Sequence, residues 1–189
     1  LRVIKPLEEM GALIRSNKGK APIEILDSSI KNNFVYKMPI ASAQVKSSLM
    51  LASLASHNSI TIYEPKITRN HTERMIEYFG GKLEYSNNKN GFIKLNKSNL
   101  KPKKNYNVVG DFSSASFIIV ATLIAKQSEV LIKNVGLNPT RNGLIKVLSM
   151  MDANIEIKNQ KLICNEESGD ILVKSSNLKG IEVPEEIIP

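Results

Sequence analysis

Cysteine is almost absent from this chain: Cys164 is the only one in 189 residues. A single thiol excludes an internal disulfide and fits a reducing, cytoplasmic setting. It lies in the alternating stretch Lys161-Leu-Ile-Cys164, which reads as a strand with Cys164 as a small, inert packing side chain. Histidine is nearly as scarce, with only His57 and His71, and no Cys/His/carboxylate cluster has the spacing of a metal site. A glycine-rich phosphate loop and a nucleophile elbow are also missing. No run approaches the ~18 consecutive apolar residues of a membrane span. Residues 1–20 carry Lys, Glu and Arg throughout and lack the uninterrupted apolar core of a signal peptide, so a secretory leader is not expected there. Acidic residues are outnumbered, 18 against 26 basic, which gives a net charge of +8 and a bias toward anionic partners. The tightest basic run, Lys101-Pro-Lys-Lys104, has little beside Tyr106 to stack a base. Nucleic acid is therefore not the expected partner, and neither is a membrane. What remains, 42% hydrophobic and 23% charged, suits a globular protein with one sizeable core or two small ones.

The chain resembles itself. One unit runs from Met38 to about Asn96 and a second from Val108 to about Ser175. Each opens on a polar turn, Pro39-Ile-Ala-Ser42-Ala-Gln44 in one and Gly110-Asp111-Phe-Ser113-Ser114 in the other. A segment rich in small apolar residues follows, Val45 to Ala55 and Ala115 to Ala125, long enough for a helix and apolar nearly all round. Such a helix is expected to be buried on more than one side. Short alternating strands come next, Ile60-Thr-Ile-Tyr63 and Val130-Leu-Ile-Lys133. Polar loops, Thr68 to Glu73 and Asn138 to Asn142, then open second helices with Met75, Ile76 and Phe79, and Leu144, Ile145 and Leu148, at helical spacing. Both helices end at turn-forming pairs, Gly80-Gly81 and Asp152-Ala153, before strands at Leu83 and Ile155. The offset of about 70 residues is near that of a βαβαββ unit. Pro6 to Ile14 matches only the closing helix and strand of such a unit, and Gly180 to Pro184 only an opening. Half-units cannot bury their own apolar faces, so the chain is expected to be a piece of something longer.

Four places have chemistry to offer. Ser42-Ala43-Gln44 begins a buried helix, where free N–H groups and the helix dipole attract an anion and the two polar side chains add directional donors. Ser42 would serve equally as a plain N-cap. Arg69 and His71 lie in the loop entering the second helix, where a guanidinium could grip phosphate or carboxylate bidentately. His71 has no obvious partner and reads as structural unless one is found. Asp111, ahead of Ser113-Ser114, reads as a helix cap before it reads as a catalytic acid. Arg141-Asn142 repeats the loop position of Arg69-Asn70 in the second unit.

Met38-Pro-Ile-Ala-Ser-Ala-Gln-Val-Lys-Ser47 closely resembles the signature of the 5-enolpyruvylshikimate-3-phosphate synthases. Thr68-Arg-Asn-His-Thr-Glu-Arg-Met75, Gly110-Asp-Phe-Ser-Ser-Ala-Ser116, Asn134-Val-Gly-Leu-Asn-Pro-Thr-Arg141 and Arg2-Val-Ile-Lys-Pro-Leu7 resemble further family segments, in the same order along the whole chain. The resemblance implies an α/β fold, the inside-out α/β barrel of the enolpyruvyl transferases built from repeated βαβαββ units, here as two partial domains. Residues 1–109 would belong to a first, shikimate-phosphate-binding domain and 110–189 to a second. It also implies transfer of enolpyruvyl from phosphoenolpyruvate to the 5-hydroxyl of shikimate 3-phosphate with release of phosphate. No cofactor and no metal are implied, and the full-length enzyme is expected to be a monomer.

By the same resemblance Ser42 and Gln44 match positions that bind shikimate 3-phosphate, Gln44 also lying near phosphoenolpyruvate, and Ala43 matches a backbone contact. Arg69 matches a substrate-side arginine, and His71 stands where some members have a tyrosine near shikimate. The family's N-terminal Lys-Ser and arginine set and its C-terminal Asp, Glu, Lys and Arg residues have no counterpart here. No catalytic residue is therefore expected within the chain, and no turnover by it alone. A UDP-N-acetylglucosamine enolpyruvyl transferase would carry a different turn in place of Ala-Ser-Ala-Gln and an upstream cysteine loop, and Cys164 falls in the wrong unit for it. A non-catalytic, RNA-binding relative of the same fold would fit the charge but not the Ser42–Gln44 turn.

Overall fold

A computed structural model describes residues 2–86, 91–103 and 105–187. The chain forms two compact units, Leu1–Lys103 and Lys104–Pro189.

The first unit begins with helix α1 (Ile4–Met10), which stops at Gly11. Gly11 has φ +110°, and a Cβ there would lie 2.2 Å from the Ser29 carbonyl oxygen, so both backbone conformation and space require glycine. An antiparallel hairpin follows, β1 (Ile14–Asn17) with β2 (Lys20–Ile25). The repeat proper then runs β3 (Phe34–Lys37), α2 (Ala43–Ala55), β4 (Ile60–Tyr63), α3 (His71–Tyr78), β5 (Leu83–Tyr85) and β6 (Phe92–Leu95). Strands β3 and β4 are parallel and joined by α2; β4 and β6, and β6 and β5, are antiparallel, in the order β3-β4-β6-β5. One face of this sheet holds Tyr36, Ile60, Ile62, Ile93 and Leu95 against Val45, Leu49 and Met50 of α2 and Ile76 of α3. The period of two in the strands meets the helical period here, and that meeting is what encloses the core.

The second unit repeats the order with its first strand shrunk to a single parallel bridge, Gly110 to Val135. It continues through α4 (Phe112–Ile124), β7 (Glu129–Gly136), α5 (Gly143–Met150), β8 (Ile155–Ile163) and β9 (Glu166–Lys174), and a short 3-10 turn at Glu185–Ile187. Its sheet order is β7-β9-β8, with both pairings antiparallel. Phe112, Ala115, Ile119 and Leu123 of α4 and Leu148 of α5 pack on Val135, Ile171 and Val173. Beside the central strand both neighbours bulge at one level, β7 between Ile132 and Val135 and β8 between Lys158 and Lys161. Asp170 of β9 serves both: its Oδ1 accepts the Asn134 N–H at 2.8 Å and its Oδ2 accepts the Asn159 amide at 2.8 Å. These bonds hold its carboxyl below the usual aspartate range.

Two expectations are corrected. Cys164 is not a strand residue: Ile163 pairs with Glu166, leaving Cys164 and Asn165 as the two loop residues of the β8–β9 hairpin, with φ 51° and 65°. A two-residue hairpin loop demands that left-handed pair, and the alternation of Lys161 to Ile163 simply ends one residue earlier. Helix α4 is buried on one side, not several, and α2, packed by its sheet and by α1, still keeps Leu51 outward. In α4 Phe117 is 78% and Ile124 71% exposed, and in α2 Leu51 is 56% exposed. Among the described residues the second unit supplies a single sheet, which covers one flank of α4.

Candidate functional site

Helix α2 starts where a polar side chain can hold it. Ser42 has extended backbone, φ −155° and ψ 107°, and its Oγ accepts the Val45 N–H at 3.4 Å. That is a long cap bond, and it uses only a lone pair, so the hydroxyl proton stays available to an anion. The N–H groups of Ala43 and Gln44, in the first turn, have no intrahelical acceptor. Gln44 is exposed, and its Oε1 accepts from Arg2 Nη1 at 3.3 Å. Arg2 was not singled out from sequence as a site residue; only the path of α1 past α2 brings it here.

Chain leaving β4 supplies the other side. Thr68 Oγ1 donates to Glu64 Oε1. Arg69 is exposed and makes no hydrogen bond or ion pair among the described residues, so its guanidinium is uncommitted. Asn70 is the N-cap of α3 and His71 its first residue, exposed, with Glu73 in the first turn. Neither Thr68 nor Thr72 caps α3: Thr72 Oγ1 lies 2.7 Å from Ser47 Oγ of α2. Among the described residues no hydrogen bond or ion pair joins Ser42 or Gln44 to Arg69; links between α2 and this segment run from Lys46 to Thr68 and from Ser47 to Thr72, on either side of Arg69.

Beneath that neighbourhood is a group the sequence did not disclose. Lys46, one turn after Ser42, is 1% exposed. Its Nζ lies 3.2 Å from Glu64 Oε2, 2.6 Å from Glu73 Oε1 and 3.5 Å from the Thr68 carbonyl oxygen. Glu73 is as deeply buried as Lys46, and its Oε2 has no hydrogen-bond donor. Burial pushes the Glu73 carboxyl up; Lys46 pulls it back and the Glu64 charge pushes it further up. Burial is the larger effect, so the Glu73 carboxyl lies above the ordinary glutamate range, while Glu64 accepts from Thr68 on its other oxygen. A lone lysine in a small-residue helix was the only sequence signal. Its partners lie 18 residues on and further, too far for a local pattern to reveal.

The second unit builds the corresponding place differently. Asp111 caps α4: its Oδ2 accepts from Ser114 N at 2.8 Å and Ser114 Oγ at 2.9 Å. Arg141, which like Arg69 stands two residues before its helix, turns inward and places Nη2 3.5 Å from Asp111 Oδ1 while donating to Ser113 Oγ. The Ser114 bonds, with Arg141 adding to them, hold the Asp111 carboxyl below its usual range. The capping reading of Asp111 is thereby the observed one. Behind the loop, buried Asn138 donates to Glu166 Oε2 at 3.1 Å and accepts from Thr140 N and Oγ1 at 2.9 and 2.7 Å.

Among the described residues no group of three or more His, Cys, Asp and Glu is placed to hold a metal ion, and no helix is long and apolar enough to cross a membrane.

The sequence pattern of EPSP synthase (3-phosphoshikimate 1-carboxyvinyltransferase) matches residues 1–188. A 3-phosphoshikimate 1-carboxyvinyltransferase of Petrotoga mobilis is 50% identical over 190 residues, covering 100% of this chain and 44% of its own. That of a Thermoanaerobacter species is 47% identical over 189 residues, with the same shares. In three dimensions the chain matches an EPSP synthase from Acinetobacter baumannii with a TM-score of 0.82 and 37% identity, over 99% of this chain and 42% of that one. The chain therefore spans under half the length of the curated relatives it matches.

Proposed function

This chain belongs to the EPSP synthase family, and on that footing we propose that it supplies the shikimate 3-phosphate side of an enolpyruvyl transfer from phosphoenolpyruvate. Its α/β fold is the family's repeat of βαβαββ units. The observation that carries the reading is the pairing of a neutral, weakly capped helix N-terminus at Ser42–Gln44 with an uncommitted arginine at Arg69. Such a place offers a phosphate backbone N–H groups, a hydroxyl, an amide and a guanidinium, with no built-in anion to displace.

In the proposed reaction C3 of phosphoenolpyruvate takes a proton while the shikimate 5-hydroxyl adds at C2. The tetrahedral adduct then loses phosphate. Ser42, the Ala43 backbone, Gln44 and Arg69 hold shikimate 3-phosphate in this scheme, and Gln44 borders phosphoenolpyruvate; His71, exposed beside Arg69, is a further candidate. Their work is positioning and charge neutralisation. The acid and base that move protons are not assigned to any residue of this chain. Residues 1–109 are proposed as part of a first, substrate-phosphate domain and 110–189 as part of a second, and the division of the chain into two compact units supports this. A cytoplasmic setting follows from the reading, since its substrates are intracellular phosphorylated metabolites.

Calorimetric titration with shikimate 3-phosphate tests the proposal, run on the protein at full native length and on residues 1–189. The expected result is binding and phosphate release with phosphoenolpyruvate by the former and no turnover by the latter. Failure of the full-length protein to bind shikimate 3-phosphate overturns the reading.

A further inference from the structure

We propose that Lys46 is a positioning residue for the anion site, its buried ammonium fixing where Arg69 stands relative to the first turn of α2; this rests on the reading of that site given above. Four ties run from Lys46 and Ser47 of α2 to residues 64–73, and they bracket Arg69 on both sides. Lys46 Nζ reaches Glu64 and the Thr68 carbonyl before Arg69 and Glu73 after it. Ser47 meets Thr72 at 2.7 Å. Thr68 is itself fastened to Glu64. Arg69 contributes nothing to this fastening, so its backbone is held while its side chain stays free.

Stability alone does not explain such an arrangement. A buried cation shared between carboxylates is commonly no better than well-packed apolar groups of the same volume. What it gives is direction: an ammonium with three donors fixes three oxygens at set angles, which packing of methyl groups does not do. Two of the oxygens it collects, from Glu64 and the Thr68 carbonyl, belong to the segment between Tyr63 and His71, which has no strand or helix, and the third belongs to Glu73 in the first turn of α3. A guanidinium on an unfastened loop would lose ordering entropy with each anion it bound; one on a fastened loop would not.

The test uses the full-length protein with Lys46→Met, Arg69→Ala and the pair, and with Thr68→Val, which removes the hydroxyl tie to Glu64 and leaves the Lys46 ammonium in place. Two readouts are taken. In limited trypsin digestion, cleavage after Lys66 and Arg69 should accelerate severalfold in Lys46→Met and Thr68→Val, while cleavage after Lys126 in the second unit stays constant; for the Arg69→Ala proteins Lys66 alone is read. Uniform acceleration, or none, overturns the proposal. In shikimate 3-phosphate titrations, Arg69→Ala should cost on the order of tenfold in affinity in the parent and clearly less in Lys46→Met, since only a positioned guanidinium has an effect to lose. An equal Arg69→Ala penalty in both backgrounds overturns it. If no variant or parent binds shikimate 3-phosphate, the proposed function fails, and the digestion pattern decides the positioning role by itself. Should Lys46→Met not fold, Thr68→Val supplies both readouts.

Discussion

The two units start their first helix in the same way and then part over charge. In the first, Ser42 caps α2 without a charge and Arg69 has no hydrogen bond or ion pair among the described residues. In the second, Asp111 caps α4 with a carboxylate and Arg141 closes on it. On the proposed reading the repeat holds one anion site open and fills the other with its own side chain. Beneath the open one lies a buried cation with two carboxylates, Lys46 with Glu64 and Glu73. Behind the filled one lies a neutral amide, Asn138, donating to Glu166. Shape has been kept between the copies while the electrostatics has been redistributed, and that redistribution separates a place that can take a ligand from one that only ends a helix.

The largest expected effect comes from removing the buried cation. Lys46→Met should cost about 3–5 kcal/mol in urea unfolding, because two carboxylates then share a dry pocket without a counter-charge. Adding Glu64→Gln and Glu73→Gln should return most of it, and a triple variant as unstable as the single would show that the lysine's packing, not its charge, matters. Next is a swap of caps between the units. Ser42→Asp should fold at least as well as the parent, since Asp caps as well as Ser, yet weaken shikimate 3-phosphate by on the order of a hundredfold, about 2.7 kcal/mol. Unchanged affinity in that variant would break the comparison at its centre.

The pH dependence of the two units should have opposite signs. Glu73 has its carboxyl raised above the ordinary 4.5, so the folded state holds a proton that the unfolded state releases. Its stabilisation is complete below about 4.5 and is lost as pH climbs through the folded-state value, with a slope of at most about 1.4 kcal/mol per pH unit. Glu73→Gln should remove that slope. Asp111 is lowered from 3.8, so its contribution is present above that value and disappears as acid protonates it. Unfolding curves from acid to alkaline pH on the parent, Glu73→Gln and Asp111→Asn would separate the two. The smallest effect is the loss of the second cap: Asp111→Ala should cost about 1 kcal/mol and leave shikimate 3-phosphate affinity unchanged.

Much of this was legible in residues and spacing. The repeat, the helices after Ser42 and Asp111, the strands at Ile60 and Ile155 and the capping role of Asp111 follow from turn chemistry and periodicity, which are local. Lys46 was not legible because a lysine in a helix reads as solvent-facing unless its partners are seen, and Glu64 and Glu73 come together with it only through the β4–α3 crossover. Cys164 was misplaced because alternation does not say where a strand stops; the pairing of Ile163 with Glu166 does. The exposed face of α4 was read as buried because apolar composition all round a helix gives the need for cover, not its source.

The carboxylate of Asp170 sets a counting rule on the strands around it. Each bulge inserts one residue against β9, so Ile132 and Val135, three apart, both turn toward the core that strict alternation would have split. Deleting Lys133 or Asn134 would set Ile132 and Val135 two apart in a regular ladder and leave both facing the core, at the loss of the Asn134 bond to Asp170 or of the bulge that aims it. Away from the bulges β7 and β8 can change length only in twos without inverting their faces; at the bulges, which Asp170 spans, a change of one is absorbed within the strand.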